Sequence, residues 1–262
     1  MNRLSETLQK SREKLLAVYY TAGFPQQNST MEIALALQQG GADIIEIGMP
    51  FSDPVADGPT IQDSNKEALN NGMTLKVLFN QLKSLREKVT VPVVLMGYLN
   101  PVMQYGIENF CRSCQEVGID GLILPDLPVQ EYQEEYKSVF SKYGLSNVFL
   151  ITPQTTQNRI REIDAMTSGA FIYAVSSASI TGAKTGISAT QEEYLARLKD
   201  MGLNNPFLVG FGIADHKAFA KVSEYAAGAI IGSAFINRLK ENRNNLTESV
   251  VDFVKKIKNQ NQ

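Results

Sequence analysis

The chain of 262 residues has one histidine and two cysteines, and each scarcity excludes something. A single histidine, His216, cannot supply the cluster of imidazoles that a catalytic zinc site uses, and its place after Asp215 near a helix start suits a surface residue. The cysteines form a C-x-x-C at Cys111 and Cys114, but the flanking residues 107–117 read as one amphipathic helix with the pair in its interior. A redox pair belongs at a helix N-terminus and a zinc site needs further ligands, so ordinary packed or half-exposed thiols are expected and no metal. Basic blocks are lacking too. Lys+Arg 25 against Asp+Glu 27 leaves a formal net charge of −2, which calls for neither nucleic acid nor an anionic membrane surface. No apolar run reaches the ~18 residues of a membrane span, and residues 1–14 are charged with no apolar core of a leader. The expectation is a cytoplasmic protein whose partners are small molecules or other proteins.

What is present is regular. With 44% hydrophobic residues the chain can bury a full core, and one domain over 1–262 is the simplest account. Short apolar runs at 15–20, 44–48, 92–96, 121–124, 147–151, 170–175, 206–209 and 229–231 are each followed by a helical pattern. They are continuous in hydrophobicity, as strands covered on both faces are. Eight such couplets in a chain of this length predict an α/β protein, a (β/α)8 TIM barrel, with an extra polar helix at about 5–13 lidding its bottom. An open doubly wound sheet is the alternative; against it, no G-x-G-x-x-G follows the first strand. The second and sixth couplets are the longest, and added loop length is where function tends to be carried.

The second couplet is the one the chain is organised around. Its strand carries Glu46, and a loop stiffened by Pro50, Pro54 and Pro59 carries Asp53 and Asp57. Period two puts Glu46 on the same face as Ile44 and Gly48, away from bulk water, where its pKa should rise into the range useful for proton transfer. Asp57, on the loop, is expected in a wetter place and ionised. Two carboxylates in unlike surroundings are a common way to divide acid and base duties. Each also has a structural reading: a buried glutamate paired with an arginine, and a turn aspartate in Asp-Gly-Pro.

Glycine marks the other end of the chain. Residues 176–186 after the sixth strand are small and polar and read as a mobile lid. Gly210-Phe211-Gly212 follows the seventh strand and Gly232-Ser233 the eighth, with Ser233 placed to cap a short helix. Glycine lets backbone approach an anion and a helix start offers free N–H groups, so these loops together read as a phosphate cup, although any one of them alone reads as turn chemistry.

At this point the chain resembles a known family over nearly its whole length, the α subunit of tryptophan synthase. The motifs are Thr21-Ala22-Gly23, Glu46-Ile47-Gly48, the highly specific run from Pro50 through Phe51-Ser52-Asp53-Pro54 and Ala56-Asp57-Gly58-Pro59 to Gln62, Tyr98 with Asn100-Pro101, Pro125-Asp126-Leu127-Pro128, Thr181-Gly182, Gly210-Phe211-Gly212 and Gly232-Ser233. The resemblance implies a barrel that cleaves indole-3-glycerol phosphate to indole and D-glyceraldehyde 3-phosphate. It implies Glu46 and Asp57 as the catalytic pair, phosphate contacts at Gly182, Gly212, Gly232 and Ser233, and an indole pocket at Tyr19, Met96, Ile123 and Tyr173. Thr181, in the sixth loop, is a further substrate-site residue, its hydroxyl expected to bond Asp57 when the lid shuts. Tyr173 shares a strand face with Phe171 and Val175, so core filling is an equal reading of it. No cofactor is implied in this chain; pyridoxal phosphate is expected only in the β subunit, the implied partner in an α2β2 heterotetramer, with Pro50, Asp53, Asn100 and Pro101 facing it. A free-standing lyase that releases indole remains open within the family. A sugar-phosphate isomerase would often need several histidines for a metal, and a silent phosphate-binding barrel would not keep both carboxylates. Two positions depart from the family pattern. Phe24 stands where an aspartate is common, which puts a charged contact of that loop in doubt, and Ser177 stands where some members carry arginine.

Overall fold

The computed structural model describes residues 2–11, 14–175, 187–210 and 212–258. Eight strands, β1 (Leu15–Thr21), β2 (Ile44–Gly48), β3 (Val93–Met96), β4 (Gly121–Ile123), β5 (Ser146–Ile151), β6 (Ile172–Val175), β7 (Phe207–Gly210) and β8 (Gly228–Ile231), pair in parallel in chain order. The sheet closes on itself where Leu15 of β1 meets Gly228 of β8. All eight predicted runs are strands, with ends that move by a residue or two where ladder bonds rather than hydrophobicity stop them.

Alternation along the strands builds two apolar layers. Leu16, Val18, Tyr20, Ile45 and Ile47 point outward under the helices, the one after β1 being α2 (Thr30–Gly40), whereas Leu15, Ala17, Ile44, Val94, Ile123, Phe171, Tyr173 and Ile230 fill the interior. Glu46 falls in register between Tyr19 and Val94 on the inward side, as its spacing from Ile44 predicts.

The lower end is plugged by helix α1 (Arg3–Lys10), shorter than predicted at its C-terminal end; position 13 lies outside the described residues. Asn2 caps α1 by accepting from the Ser5 amide, and Leu4 and Leu8 enter the interior layer. Arg3 and Arg86 converge on the buried Asp120 at 3.1 and 2.6 Å, and Asp120 also accepts from the Val93 amide at 2.9 Å. Burial pulls Arg86 down to about 10 while the Asp120 charge opposes it. This clamp closes the end of the barrel away from the loops that carry chemistry. The helix Ile107–Val117 forms as expected, and both cysteines inside it are wholly buried; burial lifts Cys111 to about 11 and Cys114 well above the ordinary thiol range. They are packed thiols. His216, exposed at the start of the helix His216–Val222, bonds the Ile257 carbonyl through Nδ1 at 2.7 Å.

Candidate functional site

Glu46 lies inside the barrel, two residues before β2 ends, with no exposed surface. Neither carboxyl oxygen has a hydrogen-bond partner among the described residues. The alternative of a glutamate paired with arginine therefore fails there. Desolvation, which penalises the anion, lifts the carboxyl from the ordinary range to about 8.

Two tyrosines reach the same space by the same local device. A Cβ on Gly48 of β2 would run into the Tyr19 ring of β1, and a Cβ on Gly210 of β7 would run into the Tyr173 ring of β6. In each case glycine sits two register positions beyond the tyrosine on the next strand, and its bare backbone leaves room for an aromatic ring to lie across the barrel. Burial raises both phenols, and the charges of Glu46 and Asp57 push them further. Tyr173 packs with Phe171 and Leu208 in the interior layer, so it fills core while standing within electrostatic reach of both carboxylates.

Asp57 hangs from the loop between β2 and helix α3 (Pro59–Asn70), whose first residue is the stiffening Pro59. Its Oδ2 accepts from the Tyr98 hydroxyl at 3.0 Å, and the same hydroxyl accepts from the Ala56 amide at 2.9 Å. Gln62 donates to the Asp57 carbonyl at 2.8 Å. The residue is half-buried. It is wetter than Glu46, as expected, but not wet enough to behave as a free aspartate: burial shifts the carboxyl upward, and the Tyr98 bond opposes the shift. Tyr98 also stacks obliquely on Phe51, ring centroids 5.2 Å apart, so the loop is held from two sides.

A narrow cavity lies beside Asp57, lined by Tyr19, Met96, Tyr98, Asn65 and Pro125 among others; Glu46 is not among its lining residues. Of the residues named from the sequence for an indole pocket, Tyr19 and Met96 border it; Ile123 and Tyr173 do not, and both belong to the buried interior layer. Tyr98 and Asn65 are additions. Asn65 is buried and ties the Phe51 amide to the Ile61 carbonyl, at 3.0 and 2.9 Å. The position of Tyr98 just past the end of β3, on the functional face of such a barrel, was the signal available for it.

Of the phosphate cup, Gly212 has φ +79 and open space around it, and Gly232 lies 3.5 Å, by an added Cβ, from the Tyr19 ring and from Ile61. Ser233 does not cap. It is the first residue of the helix Ser233–Glu241, and Gly232, which has no side chain to offer the first amides, holds the cap position. A glycine cap leaves those N–H groups free, which suits an anion better than the expected serine cap would. Thr181, Gly182, Ser177 and the lid reading of 176–186 lie outside the described residues, as does Phe211.

On the outer rim Asp53 and Asn100 are exposed, while Pro50 and Pro101 are half-buried. Val55, 85% exposed, and Met103, 55% exposed, are the exposed large hydrophobics among the described residues, and they lie in the same two segments. Phe24 is buried, with the Arg243 guanidinium 5.5 Å from its ring centre, and Arg243 forms a two-pronged pair with Glu67 of α3. Where a charged contact was in doubt, an aromatic ring under a cation joins the first loop to the last helices.

Comparison with known proteins agrees along the whole chain. The sequence profile of the family described as tryptophan synthase alpha chain matches residues 4–262. The tryptophan synthase alpha chain of Flavobacterium psychrophilum is 54% identical over 257 residues, 98% of this chain and 100% of that protein. Among solved structures, the alpha chain of Legionella pneumophila superposes with a TM-score of 0.87 at 33% identity, covering 99% of this chain and 97% of that one. A chain of the tryptophan synthase complex of Pyrococcus furiosus does so with 0.85 at 35% identity, covering 94% and 98%.

Proposed function

The chain belongs to the tryptophan synthase alpha chain family, and we propose that Glu46 and Asp57 carry its reaction, the retro-aldol cleavage of indole-3-glycerol phosphate in L-tryptophan biosynthesis. The products are indole and D-glyceraldehyde 3-phosphate, and the enzyme is a carbon–carbon lyase. The observation that supports the assignment most is the Glu46 carboxyl, buried, without a partner and lifted to about 8, so that it holds its proton at neutral pH.

Glu46 gives that proton to C3 of the indole ring, and positive charge spreads to the ring nitrogen. The carboxylate left behind takes the proton of the glycerol hydroxyl beside the C–C bond. As the aldehyde forms, the bond's electron pair returns to the ring, indole leaves, and Glu46 is protonated again. Asp57 accepts the indole N–H and stabilises the charge there by a preorganised contact. Tyr98 holds it in place. Tyr19, Met96, Ile123 and Tyr173 bound the ring, Thr181 bonds Asp57 when the lid shuts, and Gly182, Gly212, Gly232 and Ser233 take the phosphate, the turn at Gly212 and the helix start after β8 being the described part of that cup.

No cofactor and no metal enters this scheme; pyridoxal phosphate belongs to a β subunit with which the chain forms an α2β2 assembly. The exposed Val55 beside Asp53 and Pro50, and Met103 beside Asn100 and Pro101, support that contact face. Among the described residues no helix is long and apolar enough to cross a membrane. A single barrel domain working in the cytoplasm completes the reading. Glu46→Gln, which keeps shape but cannot transfer the proton, should lower indole release from indole-3-glycerol phosphate by about 10²-fold or more, with the β subunit present or absent. Near-normal turnover would remove Glu46 from the mechanism.

A further inference from the structure

Asp126, in the run Pro125-Asp126-Leu127-Pro128 after β4, reaches back to the neighbouring couplet. Both its carboxylate oxygens accept from the Leu99 amide, at 2.9 and 3.0 Å. The carboxylate is presented on a turn that Pro125 stiffens and that the Leu127 amide closes on the Leu124 carbonyl at 3.1 Å. Just before it the two chains are still paired, the Gly97 amide donating to the Ile123 carbonyl at 3.0 Å. Two residues further on, where a parallel ladder would offer the carbonyl of position 125, the chain has turned and the Asp126 side chain stands in for it. The pairing of the third and fourth couplets thereby runs past the ends of their strands.

Between those two bonds lies Tyr98. The peptide unit joining Tyr98 to Leu99 is rigid, so holding the Leu99 N–H holds the Tyr98 backbone with it. Gly97, on the other side, is the most pliable link a chain has and passes on little of the ladder's constraint. The hydroxyl and ring of Tyr98 meet the loop after β2: the hydroxyl bonds Asp57 and the Ala56 amide, and the ring lies on Phe51. Those contacts move with the loop. The Asp126 bond refers Tyr98, and through it Asp57, to the frame of the barrel. We propose that Asp126 is a positioning residue for Asp57, acting through the Leu99 amide on Tyr98.

The competing reading is a helix cap and nothing more. The helix Leu99–Tyr105 starts after Tyr98, whose side chain makes no cap bond, and an acceptor on its first amide would stabilise it whatever Tyr98 does. The two roles part in the titration of Asp57. Its charge is felt by the phenols of Tyr98, of Tyr19 on β1 and of Tyr173 on β6, with Glu46 of β2 acting on the last two, and Tyr98 also feels the charge of Asp126. Loss of the Asp126 charge alone would ease ionisation of Asp57 and lower its midpoint, whereas loss of the Tyr98 bond raises it. The signs are opposite.

The proposal rests on the reading of Asp57 as the group that accepts the indole N–H, and its test separates the two. A ¹³C NMR titration of the aspartate carboxyls in the folded chain, with the Asp57 signal assigned by its loss in Asp57→Asn, should show the midpoint rising by about half to one pH unit in Asp126→Ala. Asp126 is exposed, so its removal leaves no cavity in the core. Asp126→Asn, which loses the charge but keeps an acceptor for the Leu99 amide, should show no rise. On the Tyr98→Phe background, where the phenol bond is already gone, Asp126→Ala should raise the midpoint no further. The acid limb of kcat/KM should follow the midpoint in each variant. A midpoint that stays or falls in folded Asp126→Ala overturns the proposal, as does an equal rise in Asp126→Asn or on the Tyr98→Phe background. A midpoint that rises while the acid limb stays put overturns the role given to Asp57 instead.

Discussion

The Tyr98 hydroxyl is shared between the Asp57 carboxylate, to which it donates at 3.0 Å, and the Ala56 amide, from which it accepts at 2.9 Å. One phenol from the end of β3 thus fixes both a carboxylate and the backbone of the residue before it. The loop after β2 has its reactive group oriented by a neighbouring couplet rather than by its own stiffness.

Removing that phenol oxygen has a signed consequence. Burial already raises Asp57 and the Tyr98 bond opposes the rise, so in Tyr98→Phe the carboxyl should titrate higher still. The acid limb of kcat/KM should move up by about one pH unit, and activity at pH 6 should fall more than at pH 8. A pH profile of indole release on the two proteins checks this; a uniform loss at all pH values would assign Tyr98 to packing alone.

The buried Glu46 also costs stability, in a definite pH window. Its folded-state pKa, about 8, lies above its ordinary value of 4.5, so the native chain binds the extra proton between those values. Stability from this group is full below pH 4.5 and declines as pH rises toward 8. Glu46→Gln should be close to wild type in urea unfolding at pH 4.5 and more stable than wild type, by a few kcal/mol, at pH 8. Parallel curves at the two pH values would mean that water reaches the carboxyl.

The opposite end of the barrel should behave as scaffold. Asp120→Ala leaves the Arg86 guanidinium half-buried without its partner and the Val93 amide without an acceptor, and should cost about 3–5 kcal/mol. Activity per folded molecule should be unchanged, since the clamp lies at the far ends of β3 and β4. Urea midpoints measured alongside active-site titration separate the two effects.

At Gly212 the test is of the phosphate. A side chain there has open space but an unfavourable φ of +79, so Gly212→Val should cost about 1–2 kcal/mol in stability. It should raise KM for indole-3-glycerol phosphate about tenfold or more and leave binding of indole alone nearly unchanged. Equal weakening of both ligands would argue against an anion site in this loop.

How far these features were legible in the sequence depended on the range of the forces behind them. The eight strands were readable because burial on both faces writes a continuous apolar run into adjacent residues. Glu46 was readable because period two ties its direction to Ile44. Contacts between distant couplets left no such trace: Tyr98 meets Asp57, and Thr21 meets Ser64, across about forty residues, through hydroxyls whose partners only the closed barrel supplies. Ser233 was misread as a cap because the helix begins one residue earlier than serine chemistry suggests, with glycine at the turn. The half-burial of Asp57 escaped for a similar reason: Pro, Gly and Asp signal a turn, not what folds over it.

The closure of β1 onto β8 also has a meaning in time. The Tyr19 ring and Gly232, one near each end of the chain, come within van der Waals contact of an added Cβ only when Leu15 meets Gly228. Such a seam has nearly the longest sequence separation the chain allows, and contacts of that kind carry a large loop-closure entropy before they return any stabilisation. The residues that line the cavity beside Asp57, from Tyr19 to Pro125, all come from the first four couplets. What the last step of ring closure adds is the glycine turn after β8, brought against Tyr19 and Ile61 from the far end of the chain.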